Sequence, residues 1–99
     1  MNYEMNHLDD KVQIIFNEPE LLESFTEEKY GDLLMKAADE DKDIELNFSK
    51  VEVVDSLFIG NLIILHKKLE AKQKKLIFNG LNDFLSDLFT KLNLTKVLK

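Results

Sequence analysis

The 99-residue chain has no cysteine, no tryptophan, a single proline and three glycines. Without cysteine there is no disulfide framework and no thiolate metal site, and nothing points to secretion. Long apolar runs are missing as well. The longest, Leu62 to Leu65, is four residues, far short of the ~20 that cross a bilayer. The segment Met1 to His7 has neither the basic flank nor the apolar stretch of a signal peptide. A cytoplasmic protein without membrane insertion is the expectation. Basic residues are outnumbered, 13 Lys and Arg against 19 Asp and Glu for a net charge of -6, which argues against nucleic acid as a partner. What is present, 44% hydrophobic residues, is enough for one core, so residues 1–99 are read as one domain.

The scarcity of glycine removes the usual catalytic signatures. There is no Gly-x-Ser-x-Gly elbow, no phosphate-binding loop and no dinucleotide fingerprint. Ser56, His66 and Asp55 supply the residue types of a triad, but Ser56 and His66 stand ten residues apart. That is about 15 Å along a helix. The acidic run Asp39-Glu40-Asp41-Lys42-Asp43 lacks the glycine turn and distal Glu of a calcium loop and reads as a solvated connection. No enzyme activity, metal or cofactor is expected.

The chain alternates between two periodicities. Tyr3–Leu8 and Lys11–Phe16 read as a β-hairpin around Asp9-Asp10, the second strand needing cover on both faces because Ile14, Ile15 and Phe16 are successive. Pro19 breaks the strand, and Leu21, Leu22 and Phe25 belong to a connecting segment. Thr26 is a suitable helix cap, with Phe25 and Tyr30 placed for a hydrophobic staple, and the stripe Tyr30, Leu33, Leu34, Ala37 carries the helix to about Ala38. Strands follow at Ile44–Phe48 and Lys75–Asn79, with a short extended segment at Val51–Val54. A last helix begins at Asn82 or Asp83 with the stripe Leu85, Leu88, Phe89, Leu92, and a short tail ends the chain. The result is an α/β fold: a small, mixed, mainly parallel sheet with an antiparallel leading hairpin and helices packed on it.

The residues that carry chemistry gather at Val53-Val54-Asp55-Ser56, where an extended segment enters a long apolar helix. On a helical wheel Phe58, Ile59, Leu62, Ile63, Leu65, His66 and Leu69 share a core arc. Leu57, Asn61, Ile64 and Lys68 line the opposite edge beside Gly60. That edge is either buried by a neighbouring helix or a docking face in which Gly60 lets a partner come close. Asp55-Ser56 likewise either caps the helix or offers a hydroxyl at the positive end of its dipole, where a phosphate is well placed. A phosphate would add about -1.5 to -2 charges without disturbing the fold.

The run Ile44-Glu45-Leu46-Asn47-Phe48-Ser49-Lys50-Val51-Glu52-Val53-Val54-Asp55-Ser56 followed by Ile59-Gly60, with the tail Leu92 to Leu98, resembles the STAS domain of bacterial anti-sigma factor antagonists. The resemblance extends from Tyr3 to Leu98. It implies a module that binds an anti-sigma factor with serine kinase activity, releases the sigma factor, and is switched by phosphorylation of Ser56. Asp55, Ser56, Leu57, Gly60, Asn61 and Ile64 are then the expected binding residues, with a homodimer as a further candidate assembly. The family usually continues Asp-Ser-Ser-Gly-Leu-Gly, where this chain has Asp55-Ser56-Leu57-Phe58-Ile59-Gly60. Leu57 and Phe58 are therefore expected to stiffen the corner and add bulk where a kinase approaches. The alternative is a constitutive scaffold subunit of a transport or stress-signalling complex, with Ser56 acting only as a cap.

Overall fold

The computed structural model describes residues 2–25 and 29–94. Strands β1 (Tyr3–His7) and β2 (Lys11–Phe16) form the leading hairpin, paired Tyr3 with Phe16 through His7 with Val12. Leu8 N–H donates to the Lys11 carbonyl at 2.9 Å and closes the Asp9-Asp10 turn. Two-residue β3 (Glu20–Leu21) leads through a 3₁₀ turn (Glu23–Phe25) to helix α1 (Tyr30–Ala38). Then come β4 (Asp43–Asn47), β5 (Val53–Val54), α2 (Ser56–Ala71), β6 (Leu76–Asn79) and α3 (Asp83–Lys91). The main sheet has the order β1-β2-β4-β6, and its last three strands are parallel. The mixed, mainly parallel sheet expected from the sequence is observed.

Alternation along the strands decides where the helices go. Val12, Ile14 and Phe16 of β2, Ile44 and Leu46 of β4, and Leu76 and Phe78 of β6 fall in register on one face, and all are buried. The three helices close over that face. They contribute Tyr30, Leu34 and Ala37 from α1, Phe58, Leu62, Leu65 and Leu69 from α2, and Leu85 and Phe89 from α3. The expectation that β2 is covered on both faces is therefore corrected. Ile15 is only half-buried, and the second face of the sheet carries polar cross-strand pairs instead. Asn6 donates to Gln13 at 2.9 Å, Gln13 to Glu45 at 3.1 Å, and Lys11 pairs with Glu45 at 3.0 Å. Asn79 donates to the other oxygen of the same carboxylate. Such pairs let a sheet face do without a helix.

Two boundaries differ from the sequence reading. Leu21 is not simply in a connection: β3 pairs in parallel with β5 as a separate two-stranded sheet. The Pro19 carbonyl accepts the N–H groups of Glu52 and Val53, and the Leu21 carbonyl that of Asp55. Two-residue strands show no period, so only the tertiary pairing reveals them. Helix α1 begins at Tyr30, because Lys29 is extended, with φ -91° and ψ 130°. The Thr26 cap and the side chain of Phe25 lie outside the described residues, as does the tail from residue 95.

Aromatic rings hold the helices to the sheet. Phe58, in the first turn of α2, meets Phe16 and Tyr30 edge-on with centroids 5.8 and 5.5 Å away, and Phe48 at 6.2 Å. Phe48 continues the chain of contacts to Phe78 and Phe89. Pairs of this geometry contribute about 0.5–1.5 kcal/mol each beyond their buried area. Phe58→Ala is thus expected to destabilise the fold by about 3–5 kcal/mol, read from urea unfolding. A loss below about 1 kcal/mol would show that the cluster is not what seats α2.

Candidate functional site

The Asp55-Ser56 corner lies past the carboxyl ends of the parallel strands, where open α/β sheets commonly place their sites. Asp55 has the extended backbone of an N-cap, and its Oδ1 accepts the Phe58 N–H at 2.9 Å. That is the first-turn donor a helix leaves without an internal partner. The Ser24 N–H and hydroxyl both donate to Oδ2, at 2.9 and 2.7 Å. Partial burial pushes the Asp55 pKa up, but the donors from Ser24, Phe58 and Glu23 outweigh it, and the carboxyl is held below its ordinary value. Ser56 is the first residue inside the helix and is exposed. The cap is therefore Asp55, and a capping role for Ser56 is corrected. The Ser56 hydroxyl makes no hydrogen bond among the described residues.

Beyond the corner, α2 turns apolar side chains outward. Leu57 is 56% exposed and Ile64 51% exposed, one on each side of Gly60. A Cβ added at Gly60 would meet nothing within 4 Å. The chain's own packing thus does not require glycine there, although glycine costs a helix about 1 kcal/mol relative to alanine. Phe58 is fully buried. The expectation that Leu57 and Phe58 both add bulk at the corner is corrected for Phe58, whose ring belongs to the core.

Asn61 faces inward along the α1–α2 seam. Its Nδ2 donates to Glu23 Oε2 at 2.7 Å. The same carboxylate accepts the N–H groups of Tyr30 at 2.7 Å and Gly31 at 2.9 Å. Glu23 is thus the cap of α1, supplied from seven residues upstream, and it is buried. Gly31 makes room for this contact, since a Cβ there would lie 2.8 Å from Asn61 Nδ2.

The structure brings Asp55, Ser56, Leu57, Gly60 and Ile64 to one corner and one helix side, with Asn61 at its inner edge. Glu23 and Ser24 were missed in the sequence, where their segment showed no period or motif. Two exposed apolar residues also escaped notice, Val53 on β5 and Phe84 in the first turn of α3. Asn82, the cap of α3, donates to the Glu52 carbonyl at 3.2 Å and ties that turn to β5. Phe84 did carry a signal: it stands outside the stripe that buries α3. Among the described residues no group of three acidic or His side chains is placed to hold a metal ion, and no helix is long and apolar enough to cross a membrane.

The family model described as "Mlab, STAS domain" matches residues 24–99. No curated protein sequence matches the chain. Among solved structures, the chain is similar to the phosphorylated form of the Bacillus cell fate determinant SpoIIAA, with a TM-score of 0.75 and 19% identity over 94% of this chain and 85% of that one. It is also similar to an anti-sigma-factor antagonist (STAS) domain protein from Planctomyces limnophilus, with a TM-score of 0.77 and 16% identity over 96% and 85%. The unphosphorylated form of SpoIIAA matches with a TM-score of 0.70 and 16% identity over 90% and 82%. At these identities the likeness is one of fold.

The cap gives a pH-dependent expectation. Asp55→Ala removes the acceptor for Phe58 and Ser24 and should cost about 1–2 kcal/mol near neutrality. A carboxyl whose folded pKa is depressed contributes fully above its ordinary value of about 3.9 and loses that contribution as pH falls through the lower folded value. Urea titrations of both proteins should show the difference shrinking below about pH 4. A difference that grows on acidification would contradict the assignment.

Proposed function

Because the chain belongs to the STAS family, we propose that it is a protein-binding module of the anti-sigma factor antagonist kind, working in a partner-switching circuit and controlled by phosphorylation of Ser56. The family is one of non-enzymatic binding modules. The proposed partner is a serine kinase-type anti-sigma factor. The observation that carries the reading is the side of α2 on which Leu57 and Ile64 stand exposed around a glycine that the fold itself does not need. Asp55, Ser56, Leu57, Gly60 and Ile64 form the docking surface, and Asn61 contributes by fixing the α1–α2 seam beneath it. Phosphate on Ser56 would sit at the positive end of the α2 dipole, harmless to the fold. Against a docked partner, the same dianion would have to be stripped of water beside Leu57.

A second reading is a constitutive scaffold subunit of a transport or stress-signalling complex. In it the same surface holds a constant partner as a scaffold subunit, without phosphorylation. The two readings share the surface and differ at Ser56.

Two experiments separate them. Incubation with the cognate kinase and ATP should place phosphate on Ser56 by mass spectrometry, and Ser56→Asp should weaken partner binding at least tenfold, about 1.4 kcal/mol. Phosphate at another residue, or full binding by Ser56→Asp, sinks the switch and leaves the scaffold. Gly60→Ala should stabilise the free protein by about 0.5–1 kcal/mol while weakening binding. Unchanged affinity, measured by calorimetry, would remove the α2 surface from both readings.

A further inference from the structure

Asp55 is gripped from outside its own helix. Ser24 belongs to the 3₁₀ turn after β3, and its N–H and hydroxyl both hold Asp55 Oδ2, while Oδ1 stays on the Phe58 N–H. Asp55 has no ion pair among the described residues. A phosphate on the neighbouring residue would therefore press a second negative charge on a carboxylate that only neutral donors stabilise. Like charges this close raise each other's energy. A carboxylate free to rotate would swing away and release the Phe58 N–H, or would take the Ser56 hydroxyl as a donor. The preceding residue, Glu23, is already committed to Tyr30, Gly31 and Asn61, so it does not compete for Ser24.

We propose that Ser24 is the positioning residue of the Ser56 switch: it pins the Asp55 carboxylate on the cap, keeps the Ser56 hydroxyl free, and lets α2 keep its first turn when a negative charge arrives at Ser56. This rests on Ser56 being the switched residue, and it adds a role for a side chain on a different element. The depressed pKa of Asp55 agrees with it, since the Ser24 bonds are the first of the causes that lower it. Ser24 is exposed, so its replacement leaves the buried core untouched.

The test is a double-mutant cycle on the free protein, using wild type, Ser24→Ala, Ser56→Glu and the double variant, with unfolding constants from urea titration. The double variant should lose about fivefold more in the unfolding equilibrium than the product of the single losses. Ser24→Thr, which keeps the hydroxyl, should restore the coupled behaviour. Carbon NMR of the Asp55 carboxyl in the Ser56→Glu background should show its pKa rising in Ser24→Ala and returning in Ser24→Thr. Additive losses, or an Asp55 titration indifferent to Ser24, overturn the proposal. A kinase that ignores Ser56 would defeat the switch but would not alter this cycle, so the two failures can be told apart.

Discussion

The ring of Phe58 must stay inside for the core to close, and that constraint sets the phase of all of α2. Phe58 touches Phe16 from the hairpin, Tyr30 from α1 and Phe48 beyond β4, so it registers three elements at once. With about 100° per residue, Leu57 then points about 100° away from the core, and Ser56, Gly60 and Ile64 lie about 160°, 160° and 120° from Phe58. The exposed side of the helix is thus not chosen independently. It is the geometric complement of a buried aromatic one turn deep. Asp55 completes the constraint from the backbone side, because its carboxylate holds the N–H of the same Phe58.

The parts of the fold legible in the sequence are those with a period. β4 announces itself by alternation, α1 and α3 by their stripes, and the helical connections between strands imply parallel neighbours. The illegible parts are held by single long-range bonds. Glu23 caps α1 through a carboxylate that no capping pattern locates, and Ser24 meets Asp55 across 31 residues. β3 and β5 consist of two residues each and exist only as a pair. Thr26 looked like the start of α1 on local chemistry, yet Lys29 is extended and the helix begins where Glu23 reaches it. At the candidate site, Leu57, Gly60 and Ile64 could be named from the helical wheel, and Asp55 and Ser56 from the corner where an extended segment enters the helix. Asn61 shared their edge on the wheel and proved to serve the seam, because a neighbouring carboxylate outside the helix claims it.

The departure from the family pattern looks different in three dimensions than in one. Leu57 and Phe58 replace a serine and a glycine, and adjacent positions on a helix diverge by about 100°. One change is therefore a core change and the other a surface change. Phe58 adds ring contacts that firm the first turn of α2. Leu57 adds an exposed apolar side chain beside Ser56, on the surface proposed for docking. A glycine at position 58 could not supply the aromatic anchor, so the corner here is held by packing rather than left to adapt.

A phosphate switch needs a modification that is cheap in the free protein and expensive in the complex. The free state of this corner meets the first condition on several counts. The Ser56 hydroxyl is exposed and makes no hydrogen bond among the described residues, the helix dipole favours negative charge at that position, and the Asp55 carboxylate is already held by Ser24 and Phe58. The second condition follows from the neighbours. In the proposed complex, Leu57, Gly60 and Ile64 would offer the partner an apolar contact, and a dianion enclosed at its edge would lose water where the described residues form no ion pair. Desolvating an ion without a partner costs several kcal/mol, which exceeds the roughly 1.4 kcal/mol that separates tenfold differences in affinity. In the proposed switch, the same apolar contact that favours binding would therefore exclude the phosphorylated form, with no change of fold needed to connect the two.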